Sequence, residues 1–312
     1  MGREIKQVTG PHIGSALATK VEGLRKLVTA GRTVLAPGVF SPAVAKLAEK
    51  VGFKALYFSG AGFSNLMGLP DLGVTTLTEV AKATHDITAL VGLPMIVDAD
   101  TGFGEALNVA RAVREMKAAG AAAIQIEDQV MPKRCGHLEG KELVETEEMV
   151  KKVISAKDAG GKDILVVART DARSVEGVDS AIQRALSYSR AGADMIFPEA
   201  LEGRGEFAEF RRKLELPLIA NMTEFGKTPY MNAREFDELG YNMVIFPVTA
   251  FRAMMKSVER TLKIIMKDGT QRGTLDDLMT RDEFYKLIDY YEYERADKKA
   301  MDAAKRLRKA AR

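Results

Sequence analysis

The chain has 312 residues, 46% hydrophobic and 29% charged, which is enough apolar material for one large α/β domain and too much for a disordered chain. A single cysteine, Cys135, excludes an internal disulfide framework and a Cys-rich zinc site, and fits a reducing cytoplasm. Residues 298–312, with seven Lys/Arg against one Asp, carry a local +6 of the net +3 and leave the rest near −3, so no basic body exists for nucleic acid and the tail reads as a solvated helical end.

The first residues, "MGREIKQVTGPHIGSALATK", hold no apolar run and read as neither signal peptide nor membrane span; Lys6 stands where a myristoylation signal needs Ser or Thr. From there eight short apolar runs follow in order: "TVLAPGVF" (33–40), "ALYFSG" (55–60), "PMIVDAD" (94–100), "AAIQIED" (122–128), "ILVVARTD" (164–171), "MIFPEA" (195–200), "PLIANM" (217–222) and "MVIFPV" (243–248). Helix-period stretches such as "SPAVAKLAEKVG", "ALNVARAVREMKAAG", "TEEMVKKVISAKDAG" and "SAIQRALSYSRAGA" separate them, several ending in the glycine of a helix C-cap. Eight strand-helix units predict a (β/α)8 TIM-type barrel over about 32–250. The whole chain reads as one catalytic domain, with a helical oligomerisation segment at about 251–296 and the basic tail at 297–312.

Each apolar run ends in groups that a packed barrel interior would reject: Tyr57 and Ser59, Asp98 and Asp100, Glu127 and Asp128, Arg169 and Asp171, Glu199, then Asn221 and Thr223. Barrel enzymes build their sites at these carboxyl ends. A doubly wound open sheet would want a phosphate-binding glycine turn after its first strand, and "PGVFSPAVA" lacks it. The glycine-rich "SGAGFSNLMGLPDLG" (59–73) offers backbone N–H groups to either a phosphate or a carboxylate.

Asp98 and Asp100 are two apart at a strand end, so both face one side and repel unless a proton or cation intervenes; Glu127 ends the next strand. Oxygen ligands with room for water favour Mg²⁺, with Mn²⁺ as the alternative, over zinc. A hydrogen-bonded acidic cluster capping helices is the competing reading. Cys135 lies in "MPKRCGHLEG" (131–140), between Arg134 and Gly136 and two before His137, a charged setting that suits a reactive thiol better than a core residue. His12 and His85 have no such setting, and the Met-rich "AFRAMMKSVERTLKIIMKDG" (250–269) reads as an oligomer-packing face.

"VDADTGFG" (97–104), "IEDQ" (126–129), "KRCGH" (133–137), "ARTDA" (168–172), "FPEA" (197–200), "ANMTEFG" (220–226) and "FPVTAFRAM" (246–254) together resemble the isocitrate lyase and phosphoenolpyruvate mutase superfamily, over roughly residues 32–294. The KRCGH form and the short chain resemble its methylisocitrate lyases, whereas "SGAG" at 59–62 departs from the three glycines of many relatives. The resemblance implies a Mg²⁺-binding barrel, a cytoplasmic homotetramer with C-terminal helices exchanged between subunits, and cleavage of 2-methylisocitrate to pyruvate and succinate. It implies that Asp98, Asp100 and Glu127 hold the metal, with Asp71 in the outer shell. Ser59, Gly60 and Ala61 would then cradle the pyruvate end, Asn221, Thr223 and Arg252 the succinate end, with Gly136 giving room above. Arg169 would take a carboxylate and Glu199 orient the donors. Cys135 would protonate the carbanion, its thiolate steadied by Arg134 or His137, and Tyr57 is the candidate hydroxyl base. Isocitrate, 2,3-dimethylmalate, an oxaloacetate decarboxylase and a carboxyphosphonate mutase are the alternatives inside the superfamily, and a non-catalytic scaffold barrel the one outside it.

Overall fold

The computed structural model describes residues 13–310, with side chains from residue 17 onward. His12, the N-terminal positions read for targeting, and the last two residues of the basic tail lie outside them. The chain divides into two compact units, one up to Arg252 and one from Ala253 onward.

Each of the eight apolar runs holds one strand: β1 Val34–Val39, β2 Leu56–Phe58, β3 Met95–Asp98, β4 Ala123–Glu127, β5 Leu165–Thr170, β6 Met195–Pro198, β7 Ile219–Asn221 and β8 Met243–Phe246. All are parallel: β1 to β6 pair in succession, β7 pairs with β8, and β8 pairs with β1. Between β6 and β7 a single bridge, Ile196 to Leu218, closes the circle. This is the predicted (β/α)8 barrel. Helices such as Pro42–Val51, Ala106–Ala118 and Thr146–Gly160 cover it outside.

Parallel strands covered on both faces need apolar side chains on both, which is why the runs are nearly continuous. Outward residues Phe58, Val97, Ile124 and Val166 pack on helix residues Val109, Val113, Met149 and Val153. Inward residues Ile96, Ala123, Val167, Phe197 and Ile219 form a separate inner cluster. Two positions further along the same strands, and so on the same face, stand Asp98, Gln125, Arg169, Glu199 and Asn221. The strand period therefore stacks a polar layer directly on the apolar one.

Sequence reading overlooked helix Ile13–Thr29. Its Val21, Leu24 and Val28 are buried in the inner cluster and seal the barrel floor. Lys20 Nζ fastens it, donating to the carbonyls of Thr88 (2.8 Å) and Val91 (2.9 Å). Gly120, with φ of 86°, turns the chain from helix Ala106–Ala118 towards β4; a Cβ there would lie 2.7 Å from Thr88 Oγ1.

In the second unit, helices Arg281–Leu287 and Tyr290–Ala310 pack through Tyr285, stacked on Tyr290 at 4.2 Å between ring centres. Among the described residues no helix is long and apolar enough to cross a membrane.

Candidate active site

A cavity of about 410 Å³ opens at the carboxyl ends of the strands, with Tyr57, Asp98, Cys135, Arg169, Glu199 and Asn221 in its wall. Asp98 is buried; burial and the neighbouring Asp100 push its carboxyl up to about 6, against the pull of Lys133 and Arg169. Asp100 sits in left-handed backbone (φ 48°) and donates its N–H to Asp98 Oδ1 at 3.2 Å. Gly60 lies so near that a Cβ would meet Asp98 Oδ2 at 3.0 Å. Burial likewise holds Glu127 well above the carboxylate range, although Arg169 opposes it.

Lys133 threads between these acids: its amine, on a side chain 5% exposed, lies 2.8 Å from Asp100 Oδ1 and also pairs with Asp71. Among the described residues no three acidic, histidine or cysteine groups converge closely enough to enclose an ion. Behind the pocket wall, next to Asp98, lies carboxylate oxygen with spare lone pairs, since Glu127 Oε1 is buried without a hydrogen-bond donor and Asp100 Oδ1 meets only the lysine charge. That donor set fits a hard cation such as Mg²⁺, which takes one or two carboxylates and completes its shell with water and substrate oxygen.

Arg169 lies across the pocket floor. Its Nε and Nη2 donate to the two oxygens of Asp171 at 2.9 and 3.0 Å, so half of the fork is committed and Nη1 remains towards Glu199 Oε2 at 3.3 Å. Its guanidinium carbon stands 5.3 Å from the centre of the Phe197 ring. Glu199 receives Asn221 Nδ2 at 3.2 Å on both oxygens and lies 3.1 Å from His137 Nε2. Burial pushes Glu199 up, but Arg169, His137 and Asn221 outweigh it and hold the carboxyl at about 2.

The loop carrying the cysteine drops onto this layer. Cys135 is half-buried at the pocket wall; burial pushes its thiol up, while the backbone N–H of His137 pulls the other way. Gly136 lies where a Cβ would fall 2.3 Å from Glu199 Cγ, so only glycine permits the approach. His137 Nδ1 accepts the N–H of Lys227 at 3.0 Å, which ties this loop to the one after β7 and leaves the ring proton on Nε2 facing Glu199. Arg134, by contrast, is exposed and reaches the carbonyl of Glu139 at 3.4 Å; the structure does not bring it to the thiol.

Tyr57 is fully enclosed and donates to Gln125 Oε1 at 2.9 Å. Burial, then Asp98, raise its phenol well above 10, so it stands here as a neutral donor and not as a ready base. The glycine-rich segment is a short helix, Gly60–Leu66, capped by Ser59 Oγ, which accepts the N–H of Gly62 at 3.0 Å. Ser59, Ala61 and Thr223 reach the pocket wall. So does Arg252, whose Nη1 is held by Glu224 at 2.9 Å.

Sequence reasoning missed Lys133, Gln125 and Lys141. A lysine in a charged loop looks solvated, and only the fold sets Asp71, 62 residues away in sequence, beside Lys133. Gln125 did carry a signal: it shares a strand face with Glu127.

Comparison with known proteins agrees with this geometry. The family model described as phosphoenolpyruvate phosphomutase matches residues 24–266. The 2-methylisocitrate lyase of Aeropyrum pernix is 58% identical over 284 residues, covering 91% of this chain and 92% of that protein. Among solved structures, 2,3-dimethylmalate lyase superposes with a TM-score of 0.85 at 34% identity, covering 90% of this chain and 95% of its own. Phosphonopyruvate hydrolase, in complex with oxalate and Mg²⁺, superposes with a TM-score of 0.80 at 31% identity, covering 89% and 97%.

Proposed function

The chain belongs to the phosphoenolpyruvate phosphomutase family, and from that premise we propose that it is a Mg²⁺-dependent lyase cleaving 2-methylisocitrate to pyruvate and succinate. The observation that carries the reading is the Cys135 thiol, kept neutral by burial at the wall of a pocket whose floor holds Arg169. A mutase, which moves a group without releasing a carbanion, has no step that needs such a proton; a lyase releasing a carbanion does.

Asp98, Asp100 and Glu127 would hold the cation, with Asp71 in the outer shell. When bound it supplies positive charge to oxygens that gain electron density as the carbon–carbon bond breaks. Tyr57 directs its proton at Gln125, which leaves the phenol oxygen to accept and orient the substrate hydroxyl. The hydroxyl proton passes to Asp98, whose carboxyl is held at about 6 by burial; the oxygen it leaves becomes the carbonyl of pyruvate, and the bonding pair moves onto the succinate carbon. Cys135 delivers its proton there, and the thiolate then takes the backbone N–H of His137. Arg169, Asn221 and Arg252 supply N–H donors for carboxylates, with Thr223 at the same end and Ser59, Gly60 and Ala61 at the pyruvate end. Gly136 and His137 close the loop over them and exclude water that would quench the carbanion elsewhere.

The lone free cysteine supports a cytoplasmic location, and the aromatic segment after residue 280 supports a homotetramer. The deciding experiment is kcat/KM on 2-methylisocitrate, isocitrate and 2,3-dimethylmalate, following pyruvate or its analogue. One methyl group in an apolar pocket is worth about 1–3 kcal/mol, so 2-methylisocitrate is expected to lead by about tenfold or more. A tenfold lead by either other acid would overturn the assignment.

A further inference from the structure

Lys141 is one of the most enclosed lysines in the protein: its side chain is 1% exposed, in a loop that is otherwise charged and open. Lysine is almost never fully buried without partners, because removing an ammonium from water costs several kcal/mol unless charge and hydrogen bonds offset it. Lys141 has two. Its Nζ donates to the carbonyl of Gly136, and it lies 3.7 Å from Asp171 Oδ1. That same oxygen accepts Nη2 of Arg169 at 3.0 Å. One carboxylate at the end of β5 thus meets both the arginine of the pocket floor and the lysine that grips the cysteine loop.

Gly136 is the residue between Cys135 and His137, and its backbone already touches Glu199 and Arg169. A change in the height of its carbonyl therefore moves Sγ relative to the arginine. We propose that Lys141 is a positioning residue, clamped between the Gly136 carbonyl and Asp171, which sets how deeply Cys135 enters the pocket. A compact ammonium with three donors can serve carbonyl and carboxylate together, which a planar guanidinium or a single amide cannot do from one point. The opposite side of the loop has its own hold, the Lys227 N–H on His137, so Lys141 fixes the side that faces β5.

The kinetic half of the proposal rests on the lyase reading, so the test has a second readout that does not. Lys141→Met is expected to lower kcat on 2-methylisocitrate by about 10- to 100-fold, the usual effect of a misplacement near 1 Å, with KM changed less than about threefold. In the free protein, iodoacetamide should modify Cys135 in Lys141→Met at least about tenfold faster than in the parent, because a released loop exposes the sulfur. Lys141→Gln, which keeps one donor for the Gly136 carbonyl, should recover part of both effects. A folded variant with parental alkylation rate overturns the proposal, whatever the substrate turns out to be. Loss of folding in both variants also overturns it, since Lys141 would then be a support of the barrel itself. If the parent cleaves none of the three acids while the alkylation rates separate as expected, the lyase reading fails and the positioning role stands.

Discussion

Glu127 and Arg169 are direct partners in the β4–β5 register, and their side chains stand 3.3 Å apart with little solvent at either. Arg169 also answers Asp171 and Glu199, so three buried acids share its guanidinium. Arg169→Met should destabilise the fold by about 3–5 kcal/mol, the usual cost of stranding buried charge. Arg169→Lys should fold but lose at least about 10²-fold in kcat/KM, since a point charge cannot keep the paired bonds to Asp171 and still face the pocket. Urea unfolding and steady-state kinetics separate the two effects; a Lys variant with parental kcat/KM would contradict this account.

Cys135→Ser should lose about 10²–10⁴-fold in kcat, the typical worth of a general acid, with thermal stability nearly unchanged. The reactive form for protonation is the neutral thiol, and its titration is raised by burial. Activity that depends on it is therefore retained through neutral pH and falls as pH rises through the raised value, while alkylation by iodoacetamide grows over the same interval. An alkylation profile already flat at pH 7 would be incompatible with a buried, neutral thiol.

Chelation should abolish turnover, with Mg²⁺ or Mn²⁺ restoring it. Binding should also appear without any substrate: a ligand at 100 times its Kd stabilises the native state by about 2.7 kcal/mol, enough to raise Tm visibly. Asp100→Ala should lose both the shift and the activity while remaining folded. Full turnover in chelator, with metal shown absent by elemental analysis, would refute the assignment.

Glu199 gives a pH signature of known sign. Its carboxyl is held at about 2 against an ordinary 4.5, so the native state favours the charged form. The stabilisation is complete above pH 4.5 and is lost as pH falls towards 2, about 3 kcal/mol in all. Glu199→Gln should be less stable than the parent at pH 7, with the gap closing on acidification. A gap that stays constant from pH 7 to pH 3 would show that Glu199 is not anchored as described.

Residues 280–294 hold five aromatic residues, of which Tyr293 is 67% exposed and Phe284 41%. In the homotetramer proposed above, this apolar surface would be the part covered by a neighbouring subunit. Truncation before Thr280 should yield a species smaller than a tetramer by light scattering, with a lower Tm; an unchanged tetramer would exclude this segment from assembly.

Strand positions were legible because a parallel barrel imposes continuous apolar runs with polar ends, a pattern that survives without any knowledge of contacts. Asp98, Arg169 and Glu199 were legible for the same reason, as the residues that end those runs. The partners of Lys133 and Lys141 were not, since each meets an acid brought from another strand end, and Arg134 drew attention only by adjoining the cysteine. The phenol of Tyr57 looked like a base until Gln125 was placed beside it. Helix Ile13–Thr29 could have been read from the spacing of Val21, Leu24 and Val28, which recur at helical intervals.

The stopper that this helix makes has a bearing on traffic. With Val21, Leu24 and Val28 closing the floor beneath the packed inner layer, the described residues leave the carboxyl-end mouth, beside the cysteine loop, as the way in and out of the site. Two products share that single exit. Each turnover is thus a queue at one door, and whichever product lingers there excludes the next substrate.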